Sequence, residues 1–90
     1  EQAEQWGLIY RCVDDAELRA EALKLAQHLA TQPTYGLALI KRSLNASLSN
    51  SFDEQLDLER DLQRLAGRSE DYREGVGAFM EKRTPTFKGR

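Results

Sequence analysis

Apolar residues recur along this chain mostly at the three-and-four spacing of amphipathic helices, not at the two-residue alternation of strands. Leu18, Ala22, Leu25, Ala26 and Leu29 share one face of a segment opened by Asp14, and Glu17 follows three residues later. That pair predicts a capping box with Asp14 at the N-cap and a helix ending near Thr31. Pro33 is placed to open the next helix, where its absent N–H has no helical partner to lose. In that helix Leu37, Ile40, Leu44 and Leu48 are expected on the packing face, with Lys41 and Arg42 outward. After the polar break Ser47-Leu-Ser-Asn-Ser51, Ser51 and Glu54 predict a second capping box, and a Leu58, Leu62, Leu65 seam runs to about Ala66. Gly67 suits a left-handed helix ending. Ser69 then caps a fourth helix whose first turn carries Glu70 and Asp71, where the helix dipole favours acids. Gly75 and Gly77 weaken that helix, so their place in it implies that another helix or subunit comes close. Pro85 blocks continuation into the tail. Ahead of these four helices, Glu1 to Trp6 reads as a helix already under way, and Leu8 to Val13 as a short extended segment. The expected class is all-α, with about four amphipathic helices.

Ninety residues allow one small domain of marginal stability unless it docks on something. The formal net charge of −2 offers no overall attraction to nucleic acid. No apolar run is long enough to span a membrane. A lone cysteine, Cys12, has no internal disulfide partner and lies in an apolar run, where a buried structural thiol is expected; this fits a cytoplasmic location. His28 is the single histidine and lacks neighbours at metal-ligand spacing, so it reads as a surface or boundary residue and no metal site is expected. Asp53, Glu54, Asp57, Glu59 and Asp61 alternate with Arg60 and Arg64, a solvated face of ion pairs, with Glu59 suited to a buried or interfacial pair. Beyond Glu81 there is no acid, while Lys82, Arg83, Lys88 and Arg90 supply four cations in nine residues. Such a tail serves either a phosphate-bearing ligand or plain solubility.

The strongest pattern lies near the end. Asp71-Tyr-Arg-Glu-Gly75, then Ala78-Phe79, Lys82-Arg83 and Pro85-Thr-Phe87, resembles the C-terminal signature of the enoyl-CoA hydratase/isomerase (crotonase) family. Gly7-Leu-Ile9, His28 through Pro33, and Lys41 match the spacing of the same family, so the resemblance covers essentially the whole chain. Within the family, Leu56 to Asp61 and Gln63 to Ser69 look like a branch of phenylacetate degradation that isomerises ring-1,2-epoxyphenylacetyl-CoA to its oxepin form. Enoyl-CoA hydration or double-bond shifting is the close alternative.

The resemblance implies that the chain is the C-terminal helical region of a longer crotonase-like protein. Residues 1–13 would end a preceding helix and form the extended segment. Residues 14–81 would form a helical trimerisation and CoA-contact region, and residues 82–90 a basic tail. Family members stabilise an enolate with two backbone N–H groups and move protons with acids that lie in an upstream domain. By that correspondence this segment holds no catalytic residue and is inactive alone. Phe79 matches the family's apolar or stacking contact near the adenine or acyl pocket, and Lys82 its cation near the 3′-phosphate of CoA. Coenzyme A would enter as part of the thioester substrate, with no prosthetic group. The implied partners are an acyl-CoA, the upstream domain and like subunits in a homotrimer or dimer of trimers, with neither nucleic acid nor membrane. Read without the resemblance, the leucine faces also fit a stand-alone helical interaction module, and Phe79 and Lys82 a core residue and a solvated cation.

Overall fold

Five helices and no strand form the chain, and the computed structural model describes all 90 residues: α1 (Gln2–Gln5), α2 (Asp15–Ala30), α3 (Thr34–Ser47), α4 (Phe52–Ala66) and α5 (Glu70–Glu81). The all-α expectation holds, with α2 to α5 as the four amphipathic helices. The segment read as extended near the N-terminus joins no sheet. Gly7, at φ 72°, turns the chain back on α1: its N–H donates to the Glu4 carbonyl at 2.9 Å, and the Leu8 N–H to the Ala3 carbonyl at 2.9 Å. These two bonds around a left-handed glycine make a Schellman ending. Residues Leu8 to Val13 belong to no helix or strand, and all but Val13 are exposed. The same openness corrects the reading of Cys12, which is exposed.

Helix ends follow local chemistry where a side chain reaches an unpaired N–H. The Ser51–Glu54 box is complete: the Glu54 N–H donates to Ser51 Oγ at 3.3 Å and the Ser51 N–H to Glu54 Oε2 at 2.8 Å. Ser69 Oγ accepts from the Tyr72 N–H at 3.0 Å. Asp14 does occupy the N-cap of α2, but no box forms. Its own carbonyl takes the Glu17 N–H at 2.9 Å, the donor a capping carboxylate would need. Pro33 stands one residue earlier than expected, at the N-cap of α3. Gly67 is right-handed, at φ −65°, because α4 runs through a tight turn straight into the Ser69 cap.

α3 and α4 make the main helix–helix contact. Leu39, Ser43 and Ala46 face Gln55, Leu58, Leu62 and Ala66 across it, all at least partly buried. Gln55 Nε2 ties the pair together by donating to Ser43 Oγ at 2.9 Å and to the Ser43 carbonyl at 3.3 Å. The leucine face predicted to pack in α3 is left largely uncovered: Ile40 and Leu44 border a groove against Leu62 and Ala66 yet stay exposed, as does Leu37, and Leu48 is 89% exposed. Only three residues are buried, Leu62, Ala78 and Asp71. The chain is a flat layer, 42 × 39 × 18 Å, with a radius of gyration of 16.7 Å. A compact chain of this length would have about 12 Å. No helix is long and apolar enough to cross a membrane.

Candidate functional site

α5 and the residues after it form one unit. The tail does not run free; it folds back antiparallel along the helix and is held by three acids, the adjacent Glu70 and Asp71 and, about one turn on, Glu74. Glu74 receives Arg83 through two parallel bonds, from Nη1 at 2.6 Å and Nη2 at 2.9 Å, and also accepts the Thr86 N–H at 2.8 Å. Asp71, only 3% exposed, accepts the N–H groups of Lys88 at 2.6 Å and Gly89 at 2.8 Å, while its own N–H donates to the Arg90 carbonyl at 3.0 Å. Glu70 pairs with Arg90 at 3.2 Å. Arg83 first, and the Thr86 N–H second, hold the Glu74 carboxyl at about 2, against an ordinary 4.5. Glu74 and then Glu81 push the Arg83 guanidinium above its ordinary value.

Glycines lie against and within this strap. A Cβ on Gly75 would stand at ordinary contact distance, 3.6 Å, from Phe87 Cε1, so the chain's own tail lies against this face of the helix. Gly89, at φ 74°, lies so near Thr34 that a Cβ would come within 2.5 Å of Thr34 Oγ1. Both its conformation and its space demand glycine.

Phe79 and Lys82 end up close in sequence but differently placed. Phe79 is 81% exposed and borders an open groove of about 420 Å³ whose wall includes Val76, Phe87, Pro33 and Gly36. It is not a core residue. Lys82 lies one residue past α5 at φ 54°, the only left-handed non-glycine residue in the chain. Its N–H donates to the Phe79 carbonyl at 3.3 Å and the Arg83 N–H to the Ala78 carbonyl at 3.0 Å, the same ending that Gly7 makes after α1. Arg83 and Arg90 are spent on Glu74, Glu81 and Glu70, whereas Lys82 takes part in no ion pair. Of the tail's four cations, the arginines are therefore internal ties.

Elsewhere the candidates stay apart. His28 is exposed beside a groove of about 350 Å³ between α2 and the arm carrying Tyr10 and Val13. Glu59 makes no ion pair; it is exposed and accepts from Gln55 Nε2 at 2.9 Å. On the charged face of α4, Arg60 pairs with Asp57 at 2.7 Å and Arg64 with Asp61 at 3.6 Å, both at the predicted three-residue spacing, and Arg60 also reaches its neighbour Asp61 at 3.2 Å. No three His, Cys, Asp or Glu side chains converge as a metal would need. The residues that reading by spacing missed are Asp71 and Glu74. Their signal was the coincidence of acids at Glu70, Asp71 and Glu74 with an acid-free basic tail after a proline.

The profile of the enoyl-CoA hydratase/isomerase family matches residues 1–90. The chain belongs to that family. It is 61% identical over 90 residues to the 1,2-epoxyphenylacetyl-CoA isomerase of Escherichia coli (strain K12), covering 100% of this chain and 34% of that protein. It is 44% identical over 90 residues to the "Probable enoyl-CoA hydratase" of Rhodobacter capsulatus, covering 100% of this chain and 35% of that protein. The crystal structure of an enoyl-CoA hydratase from Polaromonas sp. JS666 superposes with a TM-score of 0.90 at 31% identity, over 97% of this chain and 34% of that one. The chain thus spans about a third of the length of the family members it matches, and its helical layer is a recurring part of the family's fold.

Proposed function

We propose that this chain is the CoA-contacting and subunit-contacting part of a longer acyl-CoA isomerase, which converts ring-1,2-epoxyphenylacetyl-CoA to its oxepin form in phenylacetate degradation. The observation that carries the reading is the 61% identity with a 1,2-epoxyphenylacetyl-CoA isomerase along the entire chain, against 44% for a hydratase. In this reading residues 1–13 lead in from the rest of the polypeptide, 14–81 form the trimer and CoA contacts, and 82–90 are the tail. The enolate-stabilising N–H pair and the proton-moving acids belong to the remaining two thirds, so the 90 residues alone are inert.

Lys82 and Phe79 hold the nucleotide end of the substrate. An unpaired ammonium at the end of α5 offers charge-assisted bonds to the 3′-phosphate. The exposed Phe79 ring, one helical turn away, offers a face to the adenine or a wall to the acyl pocket. The apolar faces of α2 and α3 serve contacts with the remaining domain and with like subunits in a homotrimer or dimer of trimers, in the cytoplasm.

The test is turnover by the complete polypeptide, offered ring-1,2-epoxyphenylacetyl-CoA and a simple 2-enoyl-CoA side by side. Isomerisation of the first is expected, with no turnover by the 90-residue chain. Hydration of the second alone would transfer the protein to the hydratases. In the active protein, Lys82→Ala should raise KM by about tenfold with kcat unchanged, since it removes binding common to ground and transition states.

A further inference from the structure

Two cations stand side by side at the end of α5, and the structure treats them oppositely. Arg83 is clamped by Glu74 and Glu81; Lys82, one residue before it, is unpaired and in a left-handed conformation that favours glycine. A strained backbone of this kind persists only where its surroundings over-determine it. Here those surroundings are on view. The helix end bonds the Lys82 and Arg83 N–H groups back to Phe79 and Ala78. Glu74 then fastens the Arg83 side chain and the Thr86 N–H, and buried Asp71 fastens Lys88 and Gly89. The turn at Lys82 is thereby pinned on both sides, by the helix before it and by the strap after it.

We propose that Glu74, seconded by Asp71, is a positioning residue for the CoA-binding lysine. Its grip on Arg83 and Thr86 fixes the left-handed turn that presents Lys82, and by occupying Arg83 it keeps the neighbouring cation off the phosphate. The proposal rests on the assignment of Lys82 to CoA made above and adds the device that orients it. Glu74 touches no substrate; it acts through the strap.

The experiment uses the complete polypeptide and one acyl group presented in two ways, as the CoA thioester and as the pantetheine thioester that lacks the phosphoadenosine end. Glu74→Gln removes the ionic clamp and keeps the side-chain shape; Arg83→Ala removes it from the other side. For both variants KM for the CoA thioester is expected to rise about tenfold at constant kcat, while the pantetheine thioester is turned over as by the parent. Lys82→Ala should behave alike, and adding Glu74→Gln to it should cost nothing further. Losses equal on the two substrates would mean that Glu74 merely stabilises the fold, and would overturn the proposal. Parent-like values for both clamp variants, with a selective loss in Lys82→Ala, would also overturn it while leaving the role of Lys82 intact. No selective loss in Lys82→Ala would instead remove the underlying assignment.

Discussion

Asp71 and Glu74 separate what a residue is from what it does. By position Asp71 is an acid in the first turn of a helix, where the dipole alone would explain it, and Glu74 an ordinary acid one turn further on. In the fold they are receptors for the backbone of a tail 12 to 18 residues away. Because Arg83 and the Thr86 N–H lower the Glu74 pKa below that of the unfolded chain, its contribution is complete above about 4.5 and is lost as the pH falls toward about 2. The Thr86 amide should therefore shift in an NMR titration with a midpoint near the lower value. A midpoint at the ordinary carboxyl value would show that the clamp is not made in solution. Lys82 and Phe79 were legible as candidates through the family pattern. Their partnering was not, since the pairing of Arg83 in place of Lys82 depends on which side chain the turn directs toward Glu74.

Among the elements, the boundaries that came out as read are those decided within four residues. Ser51 with Glu54, and Ser69 ahead of Tyr72, need only their own first turn. Asp14 failed as a box although its spacing was identical, because the backbone carbonyl competed for the same N–H. The faces of the helices were harder. Period 3.6 identifies an apolar stripe but not its neighbour, and α3 turns Leu39, Ser43 and Ala46 toward α4 while its longer leucine stripe stays open. The end of α5 offers a direct test. Glycine at position 82 would relieve the left-handed strain, so Lys82→Gly should stabilise the last turn by about 1 kcal/mol. Hydrogen exchange of the Arg83 amide, which bonds to Ala78, should slow by roughly fivefold. An unchanged or faster rate would mean that the turn is not strained.

Over the whole molecule, the accessible surface is 7715 Å². A compact protein of this mass would expose roughly 5,400 Å². The exposed residues include many large apolar side chains, Trp6, Leu23, Leu48 and Phe52 among them, more than a monomeric surface ordinarily shows. The isolated 90 residues should accordingly bind a hydrophobic dye and lose helicity over a broad temperature range without a sharp heat-absorption peak. A sharp transition with no dye binding would favour the stand-alone helical module instead.

The sequence by itself determined the all-α class, the four main helices, two of their caps and the family, because periodicity, capping and motif spacing are local and survive in any context. It also marked Phe79 and Lys82. Tertiary structure alone decided that the basic tail is a strap, that Asp71 is buried under it, that Gly75 receives Phe87, and that Cys12 lies open. Each of these depends on where the chain returns after a turn, and the direction of return is set by backbone conformation at single residues, Gly7 and Lys82 above all. No pattern of side-chain types along the chain states that conformation: glycine announces it at position 7, and lysine conceals it at position 82.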